Sequence, residues 1–458
     1  MPVVSVAGRE VARVKALELD WRKVGRDLRL TFFSHFFLKF VGYLVLVVLA
    51  RYVEKGQVGE FFFALSLASL FVLGTELGTG NYLMRAVACE PGDATEEFSR
   101  VLSMRLALAA PYFLALNGLV ALARPEMALT AALVSIYVFL DQLYVSFASL
   151  FLGLGRADYS VAARVCSGLL LISSVFVAAN LGWGLWAVLG CYILSSALLV
   201  GSAVWLVRGK IGPLRLRWDL ADFTRLAATS MPFFAATALV MVHANADAVT
   251  LGLLQPYAVV AAYAVGFKLL DVLRYMTRPV TAVLYPVCSR MSHQGDWPGI
   301  ESLHKRLLVG GAALGVTVSV AAIVSADFLV ATVLGNKYQE TPGLVKVLFL
   351  SVAPLYVGTL STMFANSLHL ERRAARVMLP AVAANVALSV AGVVIAGAMG
   401  AAWTTVLSES IIAAAVTLLV LKELRSRRAS RRAAHHTEER AYATSEDSHA
   451  GSLPLPLA

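Results

Sequence analysis

Four charged side chains recur at helical spacing within the otherwise apolar segment 261–286. They are Lys268, Asp271, Arg274 and Arg278, each three or four residues from the next. Residues at this spacing share one face of a helix. Turning such a face to lipid would cost about 2.5–3.5 kcal/mol per charge at the bilayer centre. We therefore expect the face to line a cavity or the protein interior, and its surplus of cations predicts an anionic ligand.

Two interpretations of this face remain open. In the first, Lys268, Arg274 and Arg278 bind an anionic group, because arginine makes bidentate contacts to phosphate and lysine supplies a point charge. Asp271 would then keep the ligand from binding too tightly. In the second, the four residues form a ladder of ion pairs that fixes the helix, and Arg278 reaches the headgroups.

A second set of polar residues lies at mid-depth in other apolar segments. Lys39 is too deep in the first segment to reach either membrane surface easily, so we expect it to line a cavity. His243 and Asp247 are four residues apart and share a helical face, with Asn245 nearby. This group predicts either a proton or Na⁺ site that couples transport to an ion gradient, or a counter-ion for Lys39.

Three more polar residues have local interpretations. Asp141, next to Gln142, fits sugar binding and a helix–helix hydrogen bond equally well. Arg105 lies near the end of its apolar segment, so we expect it to extend to the cytoplasmic headgroups. Glu409 is expected to take part in helix packing.

The elements that must position these residues are transmembrane helices. The 458-residue chain is 59% hydrophobic and 15% charged, whereas soluble proteins are about 25% charged. Uncharged runs such as 41–50, 167–179 and 377–405 exclude a soluble class. At about 20 residues per span, the pattern predicts an all-α polytopic membrane protein of about twelve transmembrane helices.

A faint internal repeat relates the two halves of the chain. Residues 49–61 align without gaps with residues 251–263, with small residues at matched positions. Two six-helix bundles that begin on the same side form a parallel pseudo-repeat, which places the substrate between them. The predicted order is a cytoplasmic amphipathic segment 1–29, an N-terminal six-helix bundle 30–207, a cytoplasmic linker 208–225, a C-terminal six-helix bundle 226–421 and a disordered cytoplasmic tail 422–458.

Lysine and arginine indicate the orientation of the spans. Most lie at one set of helix ends, and the opposite set carries only Arg51, Lys55, Arg124, Lys337 and Lys346. Cytoplasmic loops are enriched in these residues. We therefore predict that both termini are cytoplasmic and that the cation-poor ends face outward. The net charge of +10 is explained by this topology, and we expect no nucleic-acid partner.

Sequence motifs for catalysis are absent. The chain contains no Walker A, HExxH, GxSxG or CxxC pattern. We therefore expect neither an enzyme nor a cofactor or metal site.

Short motifs along the chain resemble those of a known transporter family. They are Leu49-Ala50-Arg51, Gly59 to Leu65, Glu76-Leu77-Gly78, Arg85, Phe151 to Arg156, Gly182 to Trp186, Met231-Pro232-Phe233, Tyr263-Ala264, Lys268 to Asp271, Tyr285-Pro286, Gly335, Tyr338, Gly400 to Trp403 and Glu409. In order and spacing, over about residues 20–425, they are similar to bacterial polysaccharide flippases of the multidrug/oligosaccharidyl-lipid/polysaccharide exporter superfamily. Two features depart from the pattern. The first outer turn has Tyr52-Val53 instead of Leu-Gly, and twelve helices argue against the fourteen-helix relatives that move lipid II.

The resemblance implies a cargo and a location. The expected cargo is undecaprenyl-diphosphate-linked oligosaccharide, moved from the cytoplasmic to the outer leaflet of the bacterial inner membrane for O-antigen or exopolysaccharide assembly. Membrane lipids, H⁺ or Na⁺, a polysaccharide polymerase and assembly proteins are the expected partners.

Two alternatives remain. A cation-coupled multidrug antiporter of the same superfamily would need an acid-rich cavity, which the cationic face at 268–278 disfavours. A membrane glycan polymerase or glycosyltransferase would need a large loop outside the membrane, and the connections between the predicted helices are too short for one.

Overall fold

The computed structural model describes the backbone of residues 21–450. Side chains are described from Phe33 to Arg428, apart from positions 34, 35, 38, 232, 236, 279, 282 and 336. Within this part the chain is α-helical with three short 3₁₀ turns and no strand. Residues 1–20 of the predicted amphipathic segment lie outside the described residues.

Sixteen helices follow one another in the described part. The first eight are α1 (Trp21–Tyr52), α2 (Lys55–Phe71), α3 (Leu73–Glu76), α4 (Thr79–Cys89), α5 (Ala94–Ala107), α6 (Ala109–Ala123), α7 (Ala128–Gly153) and α8 (Ala157–Asn180). The others are α9 (Gly184–Lys210), α10 (Leu220–Leu254), α11 (Tyr257–Tyr275), α12 (Thr277–His293), α13 (Trp297–Leu334), α14 (Thr341–Phe349), α15 (Val352–Ser367) and α16 (Glu371–Ala450).

The number of spans agrees with the sequence. Nine segments of the described chain are long and apolar enough to cross a membrane. One of them, Glu371–Arg428, is interrupted by non-helical backbone at Ala396 and Gly397 and so supplies two spans. The charged α1 and the charged pair α11–α12 bring the count to twelve. The prediction of an all-α polytopic membrane protein is confirmed.

Contacts divide the chain into two compact units. The first comprises Met1–Val272, Ala326–Leu344 and Ser389–Ala401. In it α2 packs against α7 and α10, α9 packs against α7 and α8, and α1 packs against α8.

The second unit comprises Leu273–Ser325, Val345–Leu388 and Ala402–Ala458. In it α12 packs against α15, and its apolar core includes Cys288, Ile300, Phe364 and Val416. The bundle boundaries expected from the sequence, 30–207 and 226–421, stay a prediction.

The linker between α9 and α10 is bound along α5. It spans residues 211–219 and has no regular secondary structure. The backbone N–H of Arg215 donates to Ser99 Oγ at 3.3 Å, and that of Arg217 donates to Ser103 Oγ at 2.9 Å. The linker is therefore held on the first unit through its main chain.

Arg100 fixes the start of α10 on the same helix. Its Nη2 donates to Asp222 Oδ1 and its Nη1 to Glu97 Oε1, both at 2.7 Å. The hydrogen bonds from Arg100 hold the pKa of the Asp222 carboxyl below its usual range.

Helix α16 continues to Ala450. The expected disorder of the cytoplasmic tail 422–458 stays a prediction, and residues 451–458 lie outside the described residues. Glu423 forms an ion pair with Arg427 one turn along the helix and another with Arg373. Such pairs and the alanine- and arginine-rich composition favour helix in this stretch.

Helices α2 and α11 touch through a glycine. A Cβ atom at Gly59 would overlap the carbonyl group of Tyr257, whereas one at Gly56 would meet nothing within 4 Å. Only glycine allows this approach of the two backbones.

We expect Gly59→Ala to destabilise the protein by roughly 1–3 kcal/mol, because the two helices must move apart. Gly56→Ala on the same helix is the matched control and should leave stability unchanged or raise it slightly, since alanine favours helix. Thermal unfolding of the detergent-purified variants measures both. Equal melting temperatures for the two variants would contradict the close approach.

Candidate functional site

A polar cavity of about 350 Å³ lies within the first unit. Its polar lining residues are Lys39, Ser66, Ser69, Tyr137, Asp141, Gln142, Asn245, Asp247, Tyr263 and Lys268. They come from α1, α2, α7, α10 and α11. The structure thus brings together residues of four helices that the sequence had singled out, among them Lys39, Asp141, Asn245, Asp247 and Lys268.

Lys39 and Lys268 supply the cations of the cavity. Lys39 Nζ donates to Asp271 Oδ2 at 2.8 Å, so a residue of α1 is paired with one of α11. Lys268 is partly buried, one turn before Asp271. Lys268 forms no direct ion pair among the described residues, and the Asp271 carboxylate one turn further along attracts its ammonium group.

Asp247 is the buried carboxylate of the cavity. It is 6% exposed, and its Oδ2 accepts a hydrogen bond from the Tyr263 hydroxyl at 3.0 Å. Asn245 Nδ2 donates to the carbonyl of Met241 on its own helix. His243 lies on α10 as well but is not among the described lining residues. The roles of this group in ion coupling and as a counter-ion stay predictions.

Arg274 and Arg278 belong to the second unit and are not among the described residues that line the cavity. Arg274 Nη2 donates to Glu409 Oε1 at 2.6 Å, and Glu409 is 8% exposed. The guanidinium of Arg278 is exposed and lies 4.6 Å from the ring centroid of Tyr275. The four charged residues inferred from the sequence therefore have different surroundings. Lys268 lines the cavity, Asp271 and Arg274 each form an ion pair, and Arg278 is exposed.

Arg105 does not extend to the headgroups, and that expectation is wrong. Its side chain is 1% exposed. It donates to the carbonyl of Gln142 at 2.7 Å and to Thr79 Oγ1 at 3.1 Å, and it lies 3.4 Å from Glu76 Oε1. Gln142 also lines the cavity, so Arg105 supports the cavity wall from behind.

The position of Glu76 explains why Arg105 is held inside. After α3 the backbone turns through left-handed residues at Leu77 (φ 42°) and Gly78 (φ 77°). The Glu76 carboxylate then accepts hydrogen bonds from the backbone N–H groups of Gly78 and Gly80 at 2.9 and 3.2 Å. A buried carboxylate fixed in this way needs a cation.

Sequence reasoning missed several residues of the cavity wall. Ser66 and Ser69 follow Phe62 at helical spacing on α2, and Tyr137 lies one turn before Asp141 on α7. The signal available for Tyr137 was its position one turn before Asp141, a residue that the sequence had singled out. Serines in an apolar segment give no such signal, because a serine hydroxyl commonly donates to a carbonyl of its own helix, as Ser69 does to Leu65.

The guanidinium of Arg164 on α8 lies 4.6 Å from the ring centroid of Tyr144, on the helix that carries Asp141. Among the described residues, no group of three His, Cys, Asp or Glu side chains is placed to hold a metal ion.

Comparison with known proteins identifies the family. The family model for polysaccharide biosynthesis proteins matches residues 24–292, more than half of the chain. The chain belongs to this family. The resemblance stated from the sequence motifs is confirmed at this level. No curated protein matches the chain.

Solved transporters of the multidrug/oligosaccharidyl-lipid/polysaccharide exporter (MOP) superfamily share the fold. A multidrug resistance MATE family transporter in an inward-facing conformation aligns with TM-score 0.69 and 12% identity, over 85% of this chain and 95% of its own. The lipid II flippase MurJ in an inward closed conformation aligns with TM-score 0.68 and 12% identity, over 87% and 89%.

A third transporter of the superfamily, from Pyrococcus furiosus and described by the reverse polarity of its binding pocket, aligns with TM-score 0.57. Its identity is 12%, over 88% of this chain and 96% of its own. At this level of identity the likeness establishes the MOP fold.

We expect Arg105→Gln to destabilise the protein by about 3–5 kcal/mol, because it leaves the buried Glu76 carboxylate without its cation. Arg85→Gln, which removes an exposed arginine on α4, is the control and should have little effect. Thermal unfolding in detergent measures the difference. The double variant Arg105→Gln/Glu76→Gln should regain part of the loss, and a single variant as stable as the parent would contradict the buried pair.

Proposed function

We propose that the chain is a flippase that moves undecaprenyl-diphosphate-linked oligosaccharide from the cytoplasmic to the outer leaflet for O-antigen or exopolysaccharide assembly. The observation that carries this proposal is the cavity in which Lys39 and Lys268 meet Asp141, Asp247 and neutral polar and aromatic side chains. Membership of the polysaccharide biosynthesis family supports a glycan as cargo.

The two lysines fit the diphosphate of such a cargo. Lys268 forms no direct ion pair among the described residues, although Asp271 attracts it, and its ammonium group can bind phosphate as a point charge. Lys39 is already paired with Asp271. An incoming phosphate must therefore compete with this carboxylate, which lowers affinity and lets the anion leave again. Transport needs both properties.

The rest of the lining fits a sugar. Asn245, Gln142 and the two serines of α2 offer neutral hydrogen-bonding groups to hydroxyls, and Asp141 offers a carboxylate acceptor. The Tyr137 ring offers an apolar face for stacking. In a flippase the cargo passes through the cavity chemically unchanged.

The proposed cycle is alternating access in the inner membrane of a bacterium, with both termini cytoplasmic. Asp247, buried beside Tyr263, is the group we assign to H⁺ or Na⁺ coupling. Its protonation or ion binding would change the net charge of the cavity and hence its affinity for an anion. A polysaccharide polymerase and assembly proteins would take up the delivered glycan.

A multidrug antiporter is the second candidate, because Asp141 and Asp247 line the same cavity. In that function the carboxylates would bind an organic cation, and Lys268 would oppose binding. The two functions therefore predict opposite effects of removing Lys268.

We expect Lys268→Ala to reduce flipping about tenfold or more, because a hydrogen bond to a charged group contributes about 1.5–3 kcal/mol. Lys268→Arg should retain part of the activity. In a strain lacking the protein, the measurement is the fraction of polyprenyl-linked glycan stranded on the cytoplasmic leaflet. Lys305→Ala, an exposed lysine that is not among the described lining residues, is the matched control.

The same strains separate the two candidates. Normal glycan distribution together with new sensitivity to cationic drugs in the deletion strain would move the function to multidrug export. Lys268→Ala would then maintain or increase drug resistance, and Asp247→Asn would abolish it.

We expect Asp271→Asn to lower the apparent KM for lipid-linked oligosaccharide and to lower the turnover rate as well. The reason is that the substituted side chain no longer competes with phosphate for Lys39. Flipping into the outer leaflet of proteoliposomes, measured over a range of substrate concentrations, gives both constants. A purely structural role of Asp271 would instead lower the amount of folded protein and leave the KM of the remainder unchanged.

A further inference from the structure

Arg51 caps the end of a helix that lies far away in the sequence. Its Nε donates to the carbonyl of Val333 at 2.8 Å, and its Nη2 donates to the carbonyl of Thr332 at 2.5 Å. Both carbonyls belong to the last turn of α13. Carbonyl groups there have no partner within the helix and form the negative end of its dipole. A cation is the natural ligand for them.

The capping is reciprocal. Lys337, just beyond the end of α13, donates from Nζ to the carbonyl of Arg51 at 2.9 Å. That carbonyl lies in the last turn of α1, which ends at Tyr52. Helix α13 therefore receives a cation from the last turn of α1, and α1 receives one from the segment just after α13.

An ion pair continues this contact one turn further along. Lys55 Nζ lies 2.5 Å from Glu340 Oε2 and 5.7 Å from the ring centroid of Tyr338. Tyr338 is fully buried and anchors the turn between α13 and α14. The latch consists of Arg51, Lys55, Lys337 and Glu340.

The latch lies on the helices that form the cavity wall. Lys55 begins α2, which reaches the cavity at Phe62 two turns later, and Arg51 lies in the last turn of α1, which carries Lys39. Between the latch and the cavity, Gly59 of α2 meets Tyr257 of α11 backbone to backbone. A glycan cannot pass between helices in such contact.

We infer that the latch is an electrostatic gate on the outer side of the cavity, which must separate before the cargo can leave toward the outer leaflet. Three of the five cations at the cation-poor ends of the helices belong to it. Exposed ion pairs and caps are individually weak and are screened by salt. Such contacts can hold a pathway closed and still open in every cycle. The inference rests on the proposed function for what passes the gate, whereas its test needs no cargo.

The test measures access to the cavity from outside. The parent is a full-length chain in which Cys89, Cys166, Cys191 and Cys288 are replaced by serine or alanine and Ser69→Cys places one thiol in the cavity wall. A membrane-impermeant maleimide is added to right-side-out vesicles, and the rate of labelling is measured. We expect Lys55→Glu and Glu340→Lys each to raise this rate several-fold, because like charges then face each other across the latch.

The double exchange Lys55→Glu/Glu340→Lys restores an ion pair and should return labelling to the parent rate. Glu126→Lys is the control, since it makes the same charge change at another cation-poor end. Labelling that stays at the parent rate in both single variants, or that stays high in the double exchange, would overturn the gate. Labelling that increases only in inverted vesicles would overturn its outer position.

The labelling result is independent of the cargo. If the latch variants change labelling as expected but Lys268→Ala still flips glycan, the proposed function is refuted and the gate is not. Loss of flipping in Lys268→Ala with unchanged labelling in the latch variants would refute the gate alone. A single symmetric peak of the double exchange in size-exclusion chromatography would show that both substituted positions are compatible with folding.

Discussion

The architecture depends on one constraint: a charge inside the bilayer must find its partner within the protein. Arg105 meets Glu76 deep in the first unit, and Lys39 on α1 meets Asp271 on α11. Each pair ties together helices that no local interaction would align. Removing one partner would leave the other charge uncompensated, so these pairs determine which helices can be neighbours.

Lys268 lines the cavity without a direct ion pair among the described residues, and the Asp271 carboxylate one turn further along attracts it. Charges inside a membrane protein commonly mark the pathway of a substrate or an ion. Asp247 accepts a hydrogen bond from the phenolic hydroxyl of Tyr263 on α11, the helix that carries Lys268. An ion bound at Asp247 would therefore change the electrostatic potential at Lys268.

Charged residues within apolar segments can be recognised from the sequence because they are rare there. Lys39 and Lys268 were predicted as cavity residues in this way. Their partners could not be recognised. Lys39 and Asp271 are 232 residues apart, and nothing in either segment encodes which distant helix packs against it. The prediction for Arg105 failed for the same reason. Its position near the end of an apolar segment suggested that the side chain reaches the headgroups, whereas the turn after Glu76 holds the carboxylate of that residue inside the protein, where it pairs with Arg105.

The linker between the halves of the chain shows how two kinds of backbone can match. Ser99 and Ser103 are four residues apart on a helix, which is a rise of about 6 Å. Arg215 and Arg217 are two residues apart in the linker, and an extended chain covers that spacing in about 6.6 Å. The hydroxyls of one turn therefore coincide with every second N–H of the linker. The linker is therefore in register with α5, as one strand is with the next in a sheet. Its number of residues must fit both this match of spacings and the distance between α9 and α10.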